Sequence, residues 1–344
     1  MIEQVLCTIK ENGIGSIVLN RPKALNSLTY EMVTTIHQAL RAWENDDQVQ
    51  IVVMQGAGEK GFCAGGDIKA IYESRNDPTL LEKASTFFSA EYELDQYVYH
   101  YSKPIVACLD GIVMGGGVGL SFGANYKIVT DRTKWAMPEM NIGFFPDVGA
   151  GYFLNQAPGY IGRYLALTAS VITASDVLYI HAANVYMPVE KLQAFINRIE
   201  QVNWHQQDNS LAEWIHHYEE EAPNESKLAT IQEDVDRHFA DETVEEIVES
   251  LQAEESAFAK ETKETLLSKS PISLKVTLHH IVDCADKSFA TSFQNDVVLA
   301  KNFVQNEDFY EGARSVLVDK DRNPQYTYKH LEDVTYEMVQ SFFR

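Results

Sequence analysis

PIVACLDGIVMGGGVGLSF, residues 104–122, decides the fold. Its first half, Ile105 to Leu109, is an apolar run of strand length, the pattern of a strand buried on both faces of a parallel sheet. A second short run, Ile112 to Met114, follows Asp110-Gly111, and Gly115-Gly116-Gly117 then open a helical pattern. Working outward, QIVVMQGAG (50–58) reads as another buried strand, and ANYKIVTDRTKWAMPE (124–139) supplies one or two more. Nearer the start, VLCTIKENGIGSIVLN (5–20) holds two β-rich runs around Asn12-Gly13, a strong hairpin signal. SLTYEMVTTIHQALRAWEND (27–46) has Thr29 placed to cap a helix, with Met32, Val33, Ile36 and Leu40 at helical spacing. Strand, helix, strand in succession argues for an α/β sheet with right-handed crossovers.

Beyond about residue 158 the character turns helical, in RYLALTAS, TASDVLYIHAAN with Thr173 as a cap, PVEKLQAFINRIEQV and LAEWIHHYEEEA. Residues 205–265 are acidic but keep apolar positions at helical spacing, so they read as exposed helices. Ser270-Pro271 begins a last helical region. The expected organisation is a core over residues 1–200 and a helical C-terminal region over 201–344.

The 344 residues carry 28 basic and 50 acidic side chains, a net charge of −22. That balance opposes nucleic-acid binding and binding to anionic lipid, since phosphate affinity needs clustered Lys and Arg. An anionic small molecule needs only a local basic patch. Mean hydropathy is −0.23 and 45% of residues are hydrophobic, the composition of a chain with a substantial core. No apolar run approaches a membrane span. Cys7, Cys63, Cys108 and Cys284 are scattered with no C-x-x-C pair, which suits reduced thiols. The first residues lack a signal-peptide or transit-peptide pattern, so the expected location is the cytoplasm.

Three glycine-bearing stretches follow β-rich runs and lead into helical patterns: GFCAGGD (61–67), MGGGVG (114–119) and MPEMNIGFFPDVGAG (137–151). Two such loops facing one pocket would aim two backbone N–H groups at one oxygen, the requirement of an oxyanion hole. Each stretch alone reads equally as a turn or tight-packing device. Neither phosphate-binding pattern, G-x-x-x-x-G-K-[ST] nor G-x-G-x-x-G, is present at these loops. Glu139 and Asp147 stand eight positions apart, too far for one helical face. From its residues alone Asp147 reads as a helix N-cap before it reads as a functional acid, and Glu139 as readily as a core ion-pair partner. Cys63 reads as a small buried thiol, with no histidine in a dyad pattern beside it. The ten histidines lack metal-ligand spacing, so no metal site is expected.

LNRPKALNSL (19–28), FCAGGDIKAI (62–71), KPIVACLDGIVMGGGVGLSF (103–122) and MPEMNIGFFPDVGAGYFL (137–154) occur in an order and spacing that resembles the crotonase (enoyl-CoA hydratase/isomerase) superfamily. The resemblance implies a crotonase-like spiral of ββα units followed by a helical C-terminal region. MGGGVGLS, IGFFPDVGAGYFL, SKSPISLKVTL (268–278) and DFYEGARSVLVDKDRNPQY (308–326) resemble its thioester-hydrolase branch. That branch implies hydrolysis of 3-hydroxyisobutyryl-CoA to the free acid and coenzyme A, a step of valine breakdown. Coenzyme A is then part of the substrate and no separate cofactor is implied.

The matching positions imply roles. Gly66 and Gly116 would hold the thioester oxygen. Lys23, Ala24 and Leu25, with Ala64, Asp67 and Ile68, would line the coenzyme A groove. Glu139 and Asp147 match the acidic pair of the hydrolase branch, and Glu91 a further acid at the acyl pocket. Hydratases of the superfamily place a catalytic glutamate where this chain has Gly119. An isomerase or hydratase of the same superfamily, or an acyl-CoA-binding relative without catalysis, is the alternative. Relatives that form trimers and hexamers make homo-oligomerisation an open expectation.

Overall fold

A computed structural model describes residues 3–73, 75, 78–206 and 210–344 of the chain, with the side chains of 78–84 also outside the described set. In chain order the first half contains β1 (Val5–Ile9), β2 (Ile14–Leu19), α1 (Tyr30–Glu44), β3 (Ile51–Gly56), β4 (Gly61–Cys63), α2 (Ile68–Glu73) and α3 (Pro78–Tyr99). Next come β5 (Ile105–Leu109), β6 (Ile112–Met114), α4 (Gly116–Phe122), β7 (Tyr126–Val129), β8 (Lys134–Ala136), α5 (Ala150–Phe153), α6 (Ile161–Thr168), α7 (Ala174–Tyr179), β9 (Val185–Tyr186) and α8 (Val189–Ile199). The remainder holds α9 (Leu211–Tyr218), α10 (Lys227–Thr230), α11 (Gln232–His238), α12 (Val244–Gln252), α13 (Ala257–Leu267), α14 (Pro271–Asp283), α15 (Phe289–Phe303), α16 (Glu307–Ala313) and α17 (Tyr336–Ser341).

The segments gather into two compact units: Met1–Gly66 with Ala90–Trp135 and Ile172–Ser226, and Asp67–Ser89 with Ala136–Val171 and Lys227–Arg344. The division expected at residue 200 is one of character. Among the described residues no strand follows Tyr186, yet residue 200 lies inside a continuous segment of the first unit, Ile172–Ser226.

In the first unit, β1 and β2 pair antiparallel across a turn at Lys10–Gly13, where Gly13 takes φ 96°. Only glycine adopts that backbone at no steric cost, which is why Asn12-Gly13 marks the hairpin. The remaining strands of the six-stranded sheet run parallel in the order β1-β2-β3-β5-β7-β9. Ile14, Val53, Val106, Ile128 and Val185 pack beneath Leu192, Phe195, Ile196 and Ile199 of α8. Each such side chain, withdrawn from water, contributes about 1.5–3 kcal/mol. Thr29 caps α1 as expected, accepting the Met32 N–H at 3.2 Å, and Met32, Val33, Ile36 and Leu40 form its buried face. Thr173 and Asp176 close a capping arrangement at α7 through the Thr173 N–H. A second, three-stranded sheet runs β4-β6-β8. There a Cβ at Gly61 would lie 2.5 Å from the Ile112 nitrogen, so glycine alone permits the approach.

In the second unit, Ser270 caps α14 with Pro271 at its first position, as the sequence predicts. The acidic stretch forms α9 in the first unit and α10 to α13 in the second, with residues 207–209 outside the described set. Phe144 and Phe145, both buried, pack on each other with ring centroids 4.8 Å apart and with Phe303 and Phe309 at 5.2–5.3 Å.

Candidate active site

The glycine loops of the first unit adjoin one another. β4 ends at Cys63, and the backbone turns through Gly65 at φ 97°. β6 ends at Met114, and Gly115 turns at φ 50° into α4. A Cβ at Gly65 would sit 3.3 Å from the Gly116 nitrogen, and one at Gly116 would sit 3.4 Å from the Gly66 nitrogen. One at Gly117 would strike the Cys63 carbonyl at 2.5 Å. Runs of glycine are therefore required here by close approach of two backbones.

Glu91 joins this cluster from α3. Its Oε1 lies 2.1 Å from where a Cβ at Gly116 would be, and its side chain is only 2% exposed. The first unit thus brings Gly66, Gly116 and Glu91 together. Asp95, one helical turn further along α3, is also buried. Sequence reading missed it, although its i+4 spacing from Glu91 was available as a signal. Cys63 beside them is fully buried, and burial, with the Glu91 and Asp95 charges nearby, pushes its thiol up to about 12. That agrees with a packing thiol and opposes a nucleophile.

The expected groove segments run alongside. The Ala64 N–H donates to the Leu25 carbonyl at 3.0 Å, and the Leu28 N–H to the Gly65 carbonyl at 2.8 Å. Lys23 is exposed, while Ala24, Leu25 and Ala64 are half-buried. Asn26 fixes this turn, donating from its side chain to the Ala57 and Gly61 carbonyls. Asp67 and Ile68, both half-buried, belong to the second unit at the start of α2. Arg75 is engaged with Glu307 and lies over the Tyr310 ring.

Glu139 and Asp147 lie in the second unit, 7% and 4% exposed. Glu139 opens a single 3-10 turn, Glu139–Ile142, closed by Gly143 at φ 64°. Asp147 precedes α5, whose N-cap is Gly149 with no side-chain cap. The N-cap reading of Asp147 is therefore corrected: Gly149, in the left-handed region, is the residue that turns the chain into α5. The late sequence blocks brace these turns. Lys269 donates to the Asn141 side chain at 2.6 Å, and Thr277 packs its hydroxyl on the Met140 sulfur. A Cβ at Gly143 would strike the Asp308 carbonyl at 2.3 Å, and one at Gly312 the Ile142 carbonyl carbon at 2.3 Å. Arg314 ties its own loop together through Glu311, Asp319 and Asp321.

A ββα architecture with two abutting glycine loops at strand ends is the crotonase fold. Its solved relatives include a carnitinyl-CoA dehydratase from Mycobacterium thermoresistibile, with a TM-score of 0.92 and 38% identity, covering 99% of this chain and 96% of that one. An enoyl-CoA hydratase from Rhodobacter sphaeroides superposes with a TM-score of 0.90 at 32% identity, over 99% and 97% of the two chains. The chain belongs to the enoyl-CoA hydratase/isomerase family, whose profile matches residues 14–343. It is similar to the mitochondrial 3-hydroxyisobutyryl-CoA hydrolase of Danio rerio, 40% identical over 97% of this chain and 88% of that protein. The human protein of the same name is 36% identical over 99% and 89%.

Proposed function

We propose that the protein hydrolyses 3-hydroxyisobutyryl-CoA to 3-hydroxyisobutyrate and coenzyme A, a reaction of valine breakdown. The observation that carries this reading is similarity over nearly the whole chain to several proteins named for that activity. The position where hydratases of the family hold a catalytic glutamate is Gly119, inside α4, so water addition to a double bond lacks one of its two acids.

The chemistry then follows from charge. Attack on the thioester carbonyl moves negative charge onto its oxygen, and the N–H groups of Gly66 and Gly116 are assigned to receive it. Each preorganised donor of this kind lowers the barrier by about 2.7–4 kcal/mol. Glu139 is assigned the attack, as nucleophile through a mixed anhydride or as general base on water. Asp147 and Glu91 are assigned to the 3-hydroxyl of the acyl group. Buried acceptors built for a hydroxyl reject acyl groups that lack it, because they would be left unpaired. Lys23, Ala24, Leu25, Ala64, Asp67 and Ile68 are assigned to the coenzyme A moiety. A cytoplasmic location is proposed, against relatives whose names place them in mitochondria, and fractionation with compartment markers decides it. Among the described residues, no helix is long and apolar enough to cross a membrane.

The test is release of free thiol from 3-hydroxyisobutyryl-CoA, with crotonyl-CoA hydration followed in parallel. Thiol release without hydration is the expected result. Hydration without thiol release would place the chain in another branch of the family. Glu139→Gln should lower kcat by at least about 100-fold with substrate binding retained, and near-normal turnover in that variant would overturn the assigned mechanism.

A further inference from the structure

The second unit buries an ion pair that the reaction above does not use, and it is fastened to the turn carrying Asp147. His280 of α14 and Asp296 of α15 are both fully buried, with Nε2 3.0 Å from Oδ1. The other oxygen, Oδ2, accepts the backbone N–H of Gly149 at 2.8 Å. Gly149 lies two residues past Asp147. Between them Val148 takes φ 52°, a costly backbone for a β-branched residue, so the turn needs outside contacts to hold it.

Those contacts come from both helices. A Cβ at Gly149 would lie 2.8 Å from the Phe293 ring of α15. One at Gly151 would lie 2.8 Å from His280 Nε2 and from Ser292 Oγ, and 2.9 Å from Cys284 Sγ. Asn155 closes the arrangement, donating to the carbonyls of Gly151 at 2.7 Å and of Ile281, in α14, at 2.8 Å. Burial draws the His280 imidazole down, but the Asp296 carboxylate and Cys284 more than offset it and hold it raised, at about 10. A buried charge pair is a poor source of stability, because desolvation cancels most of the attraction. Its placement on this one turn calls for a different reason.

We propose that Asp296 and His280 are positioning residues for Asp147: Asp296 fixes the Val148–Gly149 turn through the Gly149 amide, and His280, packed against its other oxygen, holds the Asp296 carboxyl in place. The inference rests on the assignment of Asp147 in the reading above. The double variant Asp296→Leu/His280→Leu removes both charges together and leaves no buried charge unpaired, so it should fold with a melting temperature near that of the wild type. Its kcat should fall about 10–100-fold, the scale of misplacing a reacting group by about an ångström. Its KM should change less than about 3-fold. The double variant Asp296→Asn/His280→Gln retains an amide oxygen for the Gly149 N–H and should recover kcat to within about 3-fold of the wild type.

A folded leucine pair with wild-type kcat overturns the inference, as does an amide pair no more active than the leucine pair. Should the leucine pair not fold, Asp296→Glu, which keeps the charge but displaces the acceptor, carries the same expected loss, and full kcat in it overturns the inference. Asp147→Asn runs beside them. Wild-type turnover there sinks the reading of Asp147 itself, whereas loss there with full activity in the leucine pair sinks only the positioning role.

Discussion

Gly116 carries two demands that no other residue meets. Its amide is assigned to the oxyanion, and the space beside its Cα is filled by the Glu91 carboxylate. Gly116→Ala would drive a methyl group into the buried Glu91 carboxyl oxygen, and overpacking of this sort costs about 1–3 kcal/mol. The expected result is a lowered urea midpoint together with a loss of kcat. A fully stable, fully active Gly116→Ala enzyme would show that Glu91 moves aside freely. The cysteines make the thiol assay clean. Cys63, Cys108 and Cys284 are buried, and burial with the Glu3 charge pushes the half-buried Cys7 up to about 11, so released coenzyme A is the thiol that reports over turnover.

Elements were legible where their signals are local. The hairpin at Asn12-Gly13, the cap at Thr29 and the Ser270-Pro271 helix start each rest on a few adjacent residues. What joins elements was not legible: Asn12 also donates to the Ile199, Glu200 and Val202 carbonyls, and Asp296 reaches Gly149 across 147 positions. No periodicity announces a contact of that separation.

The His280–Asp296 tie between α14 and α15 makes a pH prediction at this scale. The His280 ordinary value is 6.5, and in the fold it is raised to about 10, with Asp296 and Cys284 the polar groups that face it. A raised value means the folded state holds the proton more tightly. The stabilisation is therefore complete below pH 6.5 and is lost as pH climbs through about 10. Lys127, lowered by burial to about 8, titrates in the same window with the opposite sign. Urea unfolding of the wild type and of the leucine pair separates the two. The stability difference between them should be flat below pH 6.5 and shift against the wild type above it. A difference independent of pH from 5.5 to about 10 would mean that His280 is not charged in the fold.

Across the whole molecule, a charge of −22 opposes a polyanionic substrate. Raising ionic strength from about 10 mM to about 150 mM shortens the Debye length from about 30 to about 8 Å and screens that repulsion. The KM for the CoA ester should then fall. A rise would show that local cations such as Lys23 dominate the approach.

The sequence by itself determined the strand–helix succession, the three glycine loops and the residues that match the family, because each is written in adjacent side chains. Only the tertiary structure decided that Glu91 fills the space beside Gly116, that Gly149 and not Asp147 caps α5, and that the late blocks around Lys269 and Gly312 brace the Glu139 turn. Those facts depend on which distant backbones approach closely enough to exclude a Cβ, and that is settled by packing alone.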